Sequence, residues 1–309
     1  MRMMINFNHI PVLPEEVLSA LNLGRGGIYV DGTLGGGGHS KLILNALPKT
    51  GRLIGIDRDE NAITAATSRL NDSRFQAVRG NFHDMPEILR GLNIASVDGI
   101  LLDLGVSSYQ LDTAERGFSY RFDGPLDMRM DNRASLTAAD IVNTYSEKEL
   151  VSLIFEFGED KFARRIARAI CAARPIETTV QLAEVITRAV PKQKYGQPHP
   201  AMRTFQAIRI EVNNELNPLR DALNSAISLL NPGGRIAVIT FHSLEDRIAK
   251  TTFQKAFSPC ECPREIPYCV CGKTPQVKLI TKRPILPSEE ELQQNKRAHS
   301  AKLRVAERI

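Results

Sequence analysis

With 309 residues the chain is long enough for one large domain or two small ones. Its 42% hydrophobic and 24% charged residues match a soluble globular mix and exclude a collagen-like or intrinsically disordered chain. No apolar run approaches the ~18 residues of a bilayer span, and residues 1–9 lack the apolar core and small-residue cleavage site of a secretory signal. A cytoplasmic location is therefore expected, with the five cysteines as reduced thiols or metal ligands rather than disulfides. The net charge of +5 is unevenly spread: residues 106–160 carry 5 Lys/Arg against 11 Asp/Glu, residues 161–209 carry 10 against 2, and residues 247–309 carry 13 against 6. Each basic block alone reads equally well as a solvated face. Two of them in a chain with a nucleotide-type site favour a polyanionic substrate.

The first third alternates short apolar runs with helical patterns. Ile28-Tyr29-Val30-Asp31 ends in a carboxylate and opens into Gly32-Thr33-Leu34-Gly35-Gly36-Gly37-Gly38, followed by helical spacing over 39–47. Strands at 53–57, 75–78 and 97–103 are separated by helices at 60–70 and near 84–91. Such alternation predicts a parallel sheet covered on both faces. Residues 110–215 then read as mostly helical, with loops around 117–125 and 191–200. Alternation resumes with a helix at 218–230, a turn at Asn231-Pro232-Gly233-Gly234, a strand at 235–240, a helix at 244–257 and strands at 277–281 and 302–308. The expectation is a seven-stranded sheet interrupted after its fourth strand by a helical insert. Residues 1–109 and 216–309 would form the sheet domain, and 110–215 the insert.

A strand that runs through glycines into a helix lets backbone N–H groups approach a ligand closely. Asp57 ends the second strand, where a carboxylate can accept hydrogen bonds from ribose hydroxyls. The dinucleotide pattern G-x-G-x-x-G lacks its third glycine here, and the phosphate-loop pattern fails because Ser40 precedes Lys41. What remains is a nucleoside-binding bend without a pyrophosphate requirement, as S-adenosylmethionine would need; a plain tight turn is the bland alternative. Ligands of open α/β sheets lie beyond the carboxyl ends of the strands. The fourth strand ends in Asp103 and the fifth leads into Phe241-His242-Ser243, so neighbouring strands would bring Asp103 near His242. His242-Ser243 is equally readable as a helix N-cap.

Several long motifs resemble one family. Asp31-Gly32-Thr33-Leu34-Gly35-Gly36-Gly37-Gly38-His39-Ser40, the stretch 101–112, Glu115-Arg116-Gly117-Phe118-Ser119, the stretch 124–131, the stretch 203–210 and Phe241-His242-Ser243-Leu244-Glu245-Asp246-Arg247 are similar to the bacterial cytosine-N4 methyltransferases of small-subunit ribosomal RNA, the MraW or RsmH type. The similarity runs from about His9 to Arg308. It implies a class I (Rossmann-like) methyltransferase sheet with an inserted mainly helical domain that helps recognise RNA. It also implies S-adenosylmethionine as donor and a cytosine of 16S ribosomal RNA near the decoding centre as acceptor. Carried over residue by residue, Gly37, Gly38 and His39 would contact the cofactor, Asp57 would hold its ribose, Phe82 and Asp103 would border its adenine and methionine ends, and Gln110 would complete the pocket.

The chemistry mostly requires alignment of nitrogen, carbon and sulfur, which can supply ~7–11 kcal/mol, and an acceptor for the amine N–H. Asp103 is the expected acceptor, with His242 taking the proton or contacting the base. Amino-methylating enzymes often carry an Asp/Asn-Pro-Pro-aromatic tetrapeptide, which here reads Asp103-Leu104-Gly105-Val106, so stacking would come from Tyr109 or Phe241. In the insert, Phe162, Ile166, Ala169, Ile170 and Ala173 form an apolar stripe. Arg164, Arg165 and Arg168 lie on another face. Arg203 and the polar set Gln206, Arg209 and Asn213 are the other RNA candidates. Cys260, Cys262, Cys269 and Cys271, around Pro263 and Pro267, could hold zinc, with reduced thiols in an ordered loop as the bland reading; Cys171 reads as packing. A nicotinamide dehydrogenase, a non-catalytic RNA-binding assembly factor and a DNA amino-methylase are the competing functions. Oligomeric state is open, a homodimer included.

Overall fold

The computed structural model describes residues 10–192, 196–263 and 268–309; the opening segment 1–9 and Pro267 of the cysteine loop lie outside the described residues. In chain order, β1 (Ile28–Asp31), β2 (Arg52–Asp57), β3 (Phe75–Arg79) and β4 (Val97–Asp103) alternate with α1 (Pro14–Leu21), α2 (Gly38–Ala46), α3 (Glu60–Arg69) and α4 (Met85–Gly91). Helices follow: α5 (Ser108–Asp112), α6 (Ala138–Thr144), α7 (Glu147–Gly158), α8 (Ala163–Ala173), α9 (Thr179–Ala189), α10 (Met202–Asn213) and α11 (Leu219–Leu229). The chain ends with β5 (Leu230–Thr240), α12 (Ser243–Phe257), β6 (Val277–Leu279), α13 (Glu289–Gln294) and β7 (Lys302–Arg308). It forms two compact units, one from the segments up to Gly105 and from Asn217 onward, the other Val106–Leu216.

The first unit is a seven-stranded sheet in the order β3-β2-β1-β4-β5-β7-β6. Its central strands are apolar on both faces: Leu53, Ile54 and Ile56 of β2 and Ile100, Leu101 and Leu102 of β4 are fully buried, as a doubly covered strand requires. The strands β3, β2, β1, β4 and β5 are mutually parallel. The expectation of a parallel sheet fails at the far edge, where β7 runs antiparallel to both β5 and β6. Charge fits that register: Glu307 stands opposite Arg235, whose Nε lies 2.8 Å from its Oε2, and Lys278 Nζ lies 2.7 Å from Oε1 of the same carboxylate.

The expected Asn231-Pro232-Gly233-Gly234 turn is absorbed into β5 as a bulge. Register passes from Val97↔Leu230 to Gly99↔Arg235, so the intervening β5 residues oppose Asp98 alone. Asp98 secures the irregularity by accepting from Asn231 Nδ2 at 3.0 Å and from the Ile28 N–H at 2.9 Å. The chain order reverses about β1, which has β2 on one side and β4 on the other. This is the switch point, beyond whose carboxyl ends α/β sheets hold their ligands.

The second unit is helical around its own apolar cluster, which includes Phe118, Leu126, Met128, Ile141, Leu150, Ile154, Ile166, Ile170, Leu182, Ile186, Phe205 and Ile208. Four of its helices open with reciprocal capping boxes, Ser107 with Gln110, Thr137 with Asp140, Ser146 with Glu149 and Thr178 with Gln181, each satisfying orphan N–H groups. The loop 117–137 has no regular element but is internally tied. Arg116 donates to the Arg129 carbonyl at 2.8 Å, and Gly117 sits at φ 69 with its missing side chain facing the Pro125 carbonyl. On α8 the buried set is Ala163, Ile166, Ala167 and Ile170, with Ala173 exposed, so the stripe is displaced from the expected one. The helix starts at Ala163 with Phe162 as its N-cap residue, and the i, i+3, i+4, i+7 set selects these positions.

Candidate active site

Three strand-end carboxylates define the carboxyl edge around the switch point. Asp31 is 1% exposed, and its oxygens accept from the Thr33 N–H at 3.2 Å and the Ser40 hydroxyl at 2.7 Å. Burial pushes its carboxyl above the ordinary range, opposed by the Ser40 hydrogen bond. Closed off from solvent and with both oxygens engaged, Asp31 braces the bend against the start of α2 rather than offering itself to a ligand, whereas Asp57 is only partly covered. The bend is stitched to the neighbouring strands as well: Gly32 N–H donates to the Leu101 carbonyl, Leu34 N–H to Ile56, and Gly35 N–H to Asp57 Oδ2 at 2.8 Å. Gly37 is the N-cap of α2 at φ 73, a left-handed conformation that disfavours a side chain. A Cβ there would also press on Leu70 Cδ1 at 3.0 Å.

Asp57 accepts from the N–H groups of Gly35 and Asp59, both at 2.8 Å. Burial pushes its pKa up to about 6, against the pull of those two hydrogen bonds. Phe82 follows β3 in a short 3-10 turn, Phe82–Asp84, and its Cβ lies 3.1 Å from where a Gly32 side chain would begin. The residue is half-buried, and an aromatic ring suits the flat apolar face of a base.

The fourth strand delivers the reactive-looking corner. The Asp103 N–H donates to Thr33 Oγ1 at 2.6 Å, fixing the backbone, while Asp103 Oδ1 is buried without a hydrogen-bond partner among the described residues. Its Oδ2 lies 3.5 Å from Nε2 of His39, a side chain 7% exposed whose two ring nitrogens are both buried and have no hydrogen-bond partner among the described residues. Buried polar groups are nearly always hydrogen-bonded, so three orphan atoms at one strand end mark a place prepared for a polar ligand.

The β4–β5 adjacency is present; Asp103 Oδ2 faces His39 at 3.5 Å, and the His242 ring meets Glu245. His242 is the N-cap of α12, its Nδ1 accepting from the Glu245 N–H at 3.4 Å and its Nε2 lying 3.2 Å from Glu245 Oε1. Glu245 in turn accepts from the Phe241 N–H at 2.9 Å. Phe241 is partly buried against the sheet-unit core. Gln110 belongs to the second unit, where it completes the capping box of α5 with Ser107.

Comparison with known proteins decides the family. Residues 6–309 match the model described as the MraW methylase family. The chain belongs to the MraW methylase family. It is 53% identical to the ribosomal RNA small subunit methyltransferase H of Carboxydothermus hydrogenoformans over 99% of both chains. It is 56% identical to ribosomal RNA small subunit methyltransferase H 2 of Agathobacter rectalis over 98% of this chain and 99% of that protein. A solved rRNA methylase from Streptococcus thermophilus aligns over 96% of this chain and 93% of its own at 12% identity, with a TM-score of 0.39.

In this MraW-family chain the insert candidates separate into two groups. Arg164, Arg165 and Arg168 are exposed on α8, the last 3.7 Å from Glu147; exposed Arg203 donates to the Glu159 carbonyl at 2.8 Å. Gln206, Arg209 and Asn213 are half-buried and tied into the unit itself. Gln206 donates to the Phe157 carbonyl. Asn213 accepts from the Met130 N–H and donates to the carbonyls of Met128 and Arg209. Arg209 makes a two-pronged pair with Glu215 at 2.8 and 2.9 Å, the side chains 15% and 7% exposed. Truncating one partner of such a buried pair typically costs about 3–5 kcal/mol by leaving the other charge unpaired. Arg209→Ala is therefore expected to lower stability by that order in denaturant unfolding, with Arg209→Met/Glu215→Leu recovering much of it. Unaltered unfolding together with lost RNA binding would return Arg209 to the RNA interface.

Three participants escaped sequence reasoning. Thr33 anchors the Asp103 backbone, and its position two residues after the strand-end carboxylate was the available signal. Ser40 holds Asp31. His83, next to Phe82 with ring centroids 4.2 Å apart, has its pKa pushed down to about 4 by burial and by Arg58, and its Nε2 is buried without a partner among the described residues; no sequence pattern marks it. Among the described residues no helix is long and apolar enough to cross a membrane.

Proposed function

We propose that the chain transfers the methyl group of S-adenosylmethionine to the exocyclic N4 of a cytosine in 16S ribosomal RNA, near the decoding centre, in the cytoplasm. The observation that carries this reading is the corner where Asp103 Oδ1 and both ring nitrogens of His39 stand buried beside the glycine bend with no hydrogen-bond partner among the described residues. The residues fit such a donor: Asp57 would accept from the ribose hydroxyls, Phe82 would lie along the adenine, and Gly37, Gly38 and His39 would line the bend. When bound, S-adenosylmethionine supplies a methyl carbon already activated by the sulfonium. The protein's own task is to hold the acceptor amine in line and to stabilise the positive charge that grows on its nitrogen. Asp103 does this by accepting an amine N–H through Oδ1, and the Thr33 hydrogen bond keeps the strand end in place while it does so. Cytosine N4 is reached only in an unstacked base, which requires single-stranded or flipped RNA.

The direct test is labelled methyl transfer to naked RNA, free small subunits and assembled particles, with the product nucleoside identified. N4-methylcytidine is the expected product; label in another nucleoside or in none would overturn the reading. Arg164, Arg165 and Arg168 are the proposed phosphate contacts, together with Arg203. Replacing the three α8 arginines by Ala is expected to reduce the salt dependence of RNA binding, log K against log salt, by about 2–3 in slope. Binding isotherms at several salt concentrations read this, and an unchanged slope would remove α8 from the interface.

A further inference from the structure

The connection between α12 and β6, residues 258–276, has no helix or strand among its described residues. Connections of that length without structure of their own are uncommon in compact domains unless something else organises them. Hydrophobic burial is not the organiser, because Tyr268 and Val270 are 80% and 74% exposed. Instead, four thiols converge. Cys269 Sγ lies 3.5 Å from Cys260 Sγ, 3.9 Å from Cys262 Sγ and 3.4 Å from Cys271 Sγ. All four sulfur atoms lie within 4.8 Å of one another, and all four cysteines are free.

These separations have a simple metrical meaning. Zinc–sulfur bonds of ~2.3 Å at tetrahedral angles place sulfur atoms about 3.8 Å apart, inside the 3.4–3.9 Å range of the three Cys269 separations. A disulfide would need ~2.05 Å. The Val270 N–H points at Cys262 Sγ at 3.3 Å, the kind of backbone donation that supports a ligating thiolate. Closure of the loop at its ends is separate from the thiols, with Lys273 paired to Glu261 and the Gln276 N–H donating to the Ala256 carbonyl at 2.8 Å.

We infer that Cys260, Cys262, Cys269 and Cys271 form a tetrahedral thiolate site for one zinc ion, which staples the 258–276 connection. Four soft sulfur donors select zinc over the hard cations that prefer oxygen. A closed four-cysteine site leaves no open coordination position, so its role is structural and independent of methyl transfer. The test uses the full chain purified under reducing conditions. Elemental analysis is expected to find about one zinc per chain, and titration of metal-stripped protein to take up one equivalent. Cobalt(II) in its place should show the intense sulfur-to-metal absorption of a tetrahedral thiolate site, and four thiols should become reactive only after a chelator is added. Cys260→Ser/Cys262→Ser should lose the metal while circular dichroism of the helices and sheet is retained. Reduced wild-type protein that neither carries zinc nor binds one equivalent would overturn the assignment. So would iron found in its place, or full zinc binding by the double variant; if that variant fails to fold, the wild-type titration and cobalt spectrum decide.

Discussion

Asp103→Asn is expected to lower methyl transfer by about two to three orders of magnitude, the usual loss when one aligned charge-stabilising group is removed from a reaction centre. The same change should leave the protein as stable as before or slightly more so. Among the described residues Asp103 Oδ1 has no partner and Oδ2 only a 3.5 Å approach to His39, so the carboxylate contributes little to folding. The position is held by its backbone N–H, which any residue supplies to Thr33. Catalytic groups commonly carry this signature of a polar atom left unsatisfied in the resting fold. Single-turnover transfer assays and thermal unfolding on the same preparation separate the two effects. Activity within threefold of wild type would remove Asp103 from the chemistry, and a large loss of stability would recast it as a structural residue.

The second large effect is a pH dependence of donor binding governed by Asp57. Burial sets its pKa at about 6, above the value of an unfolded aspartate. Two sign consequences follow. For folding, the native state holds a proton that the unfolded chain has released between about pH 4 and 6, so this group's contribution to stability declines as pH rises through that window. For binding the sign is opposite, because ribose hydroxyls donate to the ionised carboxylate. Affinity for S-adenosylmethionine should be level above about pH 6 and weaken by up to tenfold per unit below it. Asp57→Asn should weaken binding by about a hundredfold at neutral pH, the scale of two hydrogen bonds to a charged group, and should flatten the profile between pH 5 and 7. Equilibrium dialysis across that range reads both. A wild-type profile that is flat, or an Asn variant that keeps the slope, would assign the dependence to another group.

Much of this architecture is local in origin and was legible for that reason. The apolar runs of β2 and β4 are short-range patterns, and both strands lie close to the expected limits. The strand-end placement of Asp31, Asp57 and Asp103 was legible for the same reason, since a carboxylate that closes an apolar run must emerge at the edge of a buried sheet. What resisted local reading depends on partners far along the chain. The direction of β7 rests on Glu307 meeting Arg235, and the absorption of the Asn231–Gly234 turn into β5 rests on Asp98. Gln206, Arg209 and Asn213 look like an exposed polar stripe on a helical wheel, yet Phe157, Glu215, Met128 and Met130 occupy their hydrogen bonds.

The amino-acid sequence by itself therefore determined the alternation of strands and helices, the glycine bend, the carboxylates that close three strands and, through its long motifs, the family. Only the tertiary structure decided which polar groups are spent and which are spare: Asp31, Arg209 and Asn213 are consumed by the fold, while Asp103, His39 and His83 retain atoms unsatisfied among the described residues. The reason is physical. A residue's type and spacing set what it can donate or accept, but whether that capacity is already met depends on atoms brought together from distant parts of the chain, and a buried capacity left unmet is what a ligand completes.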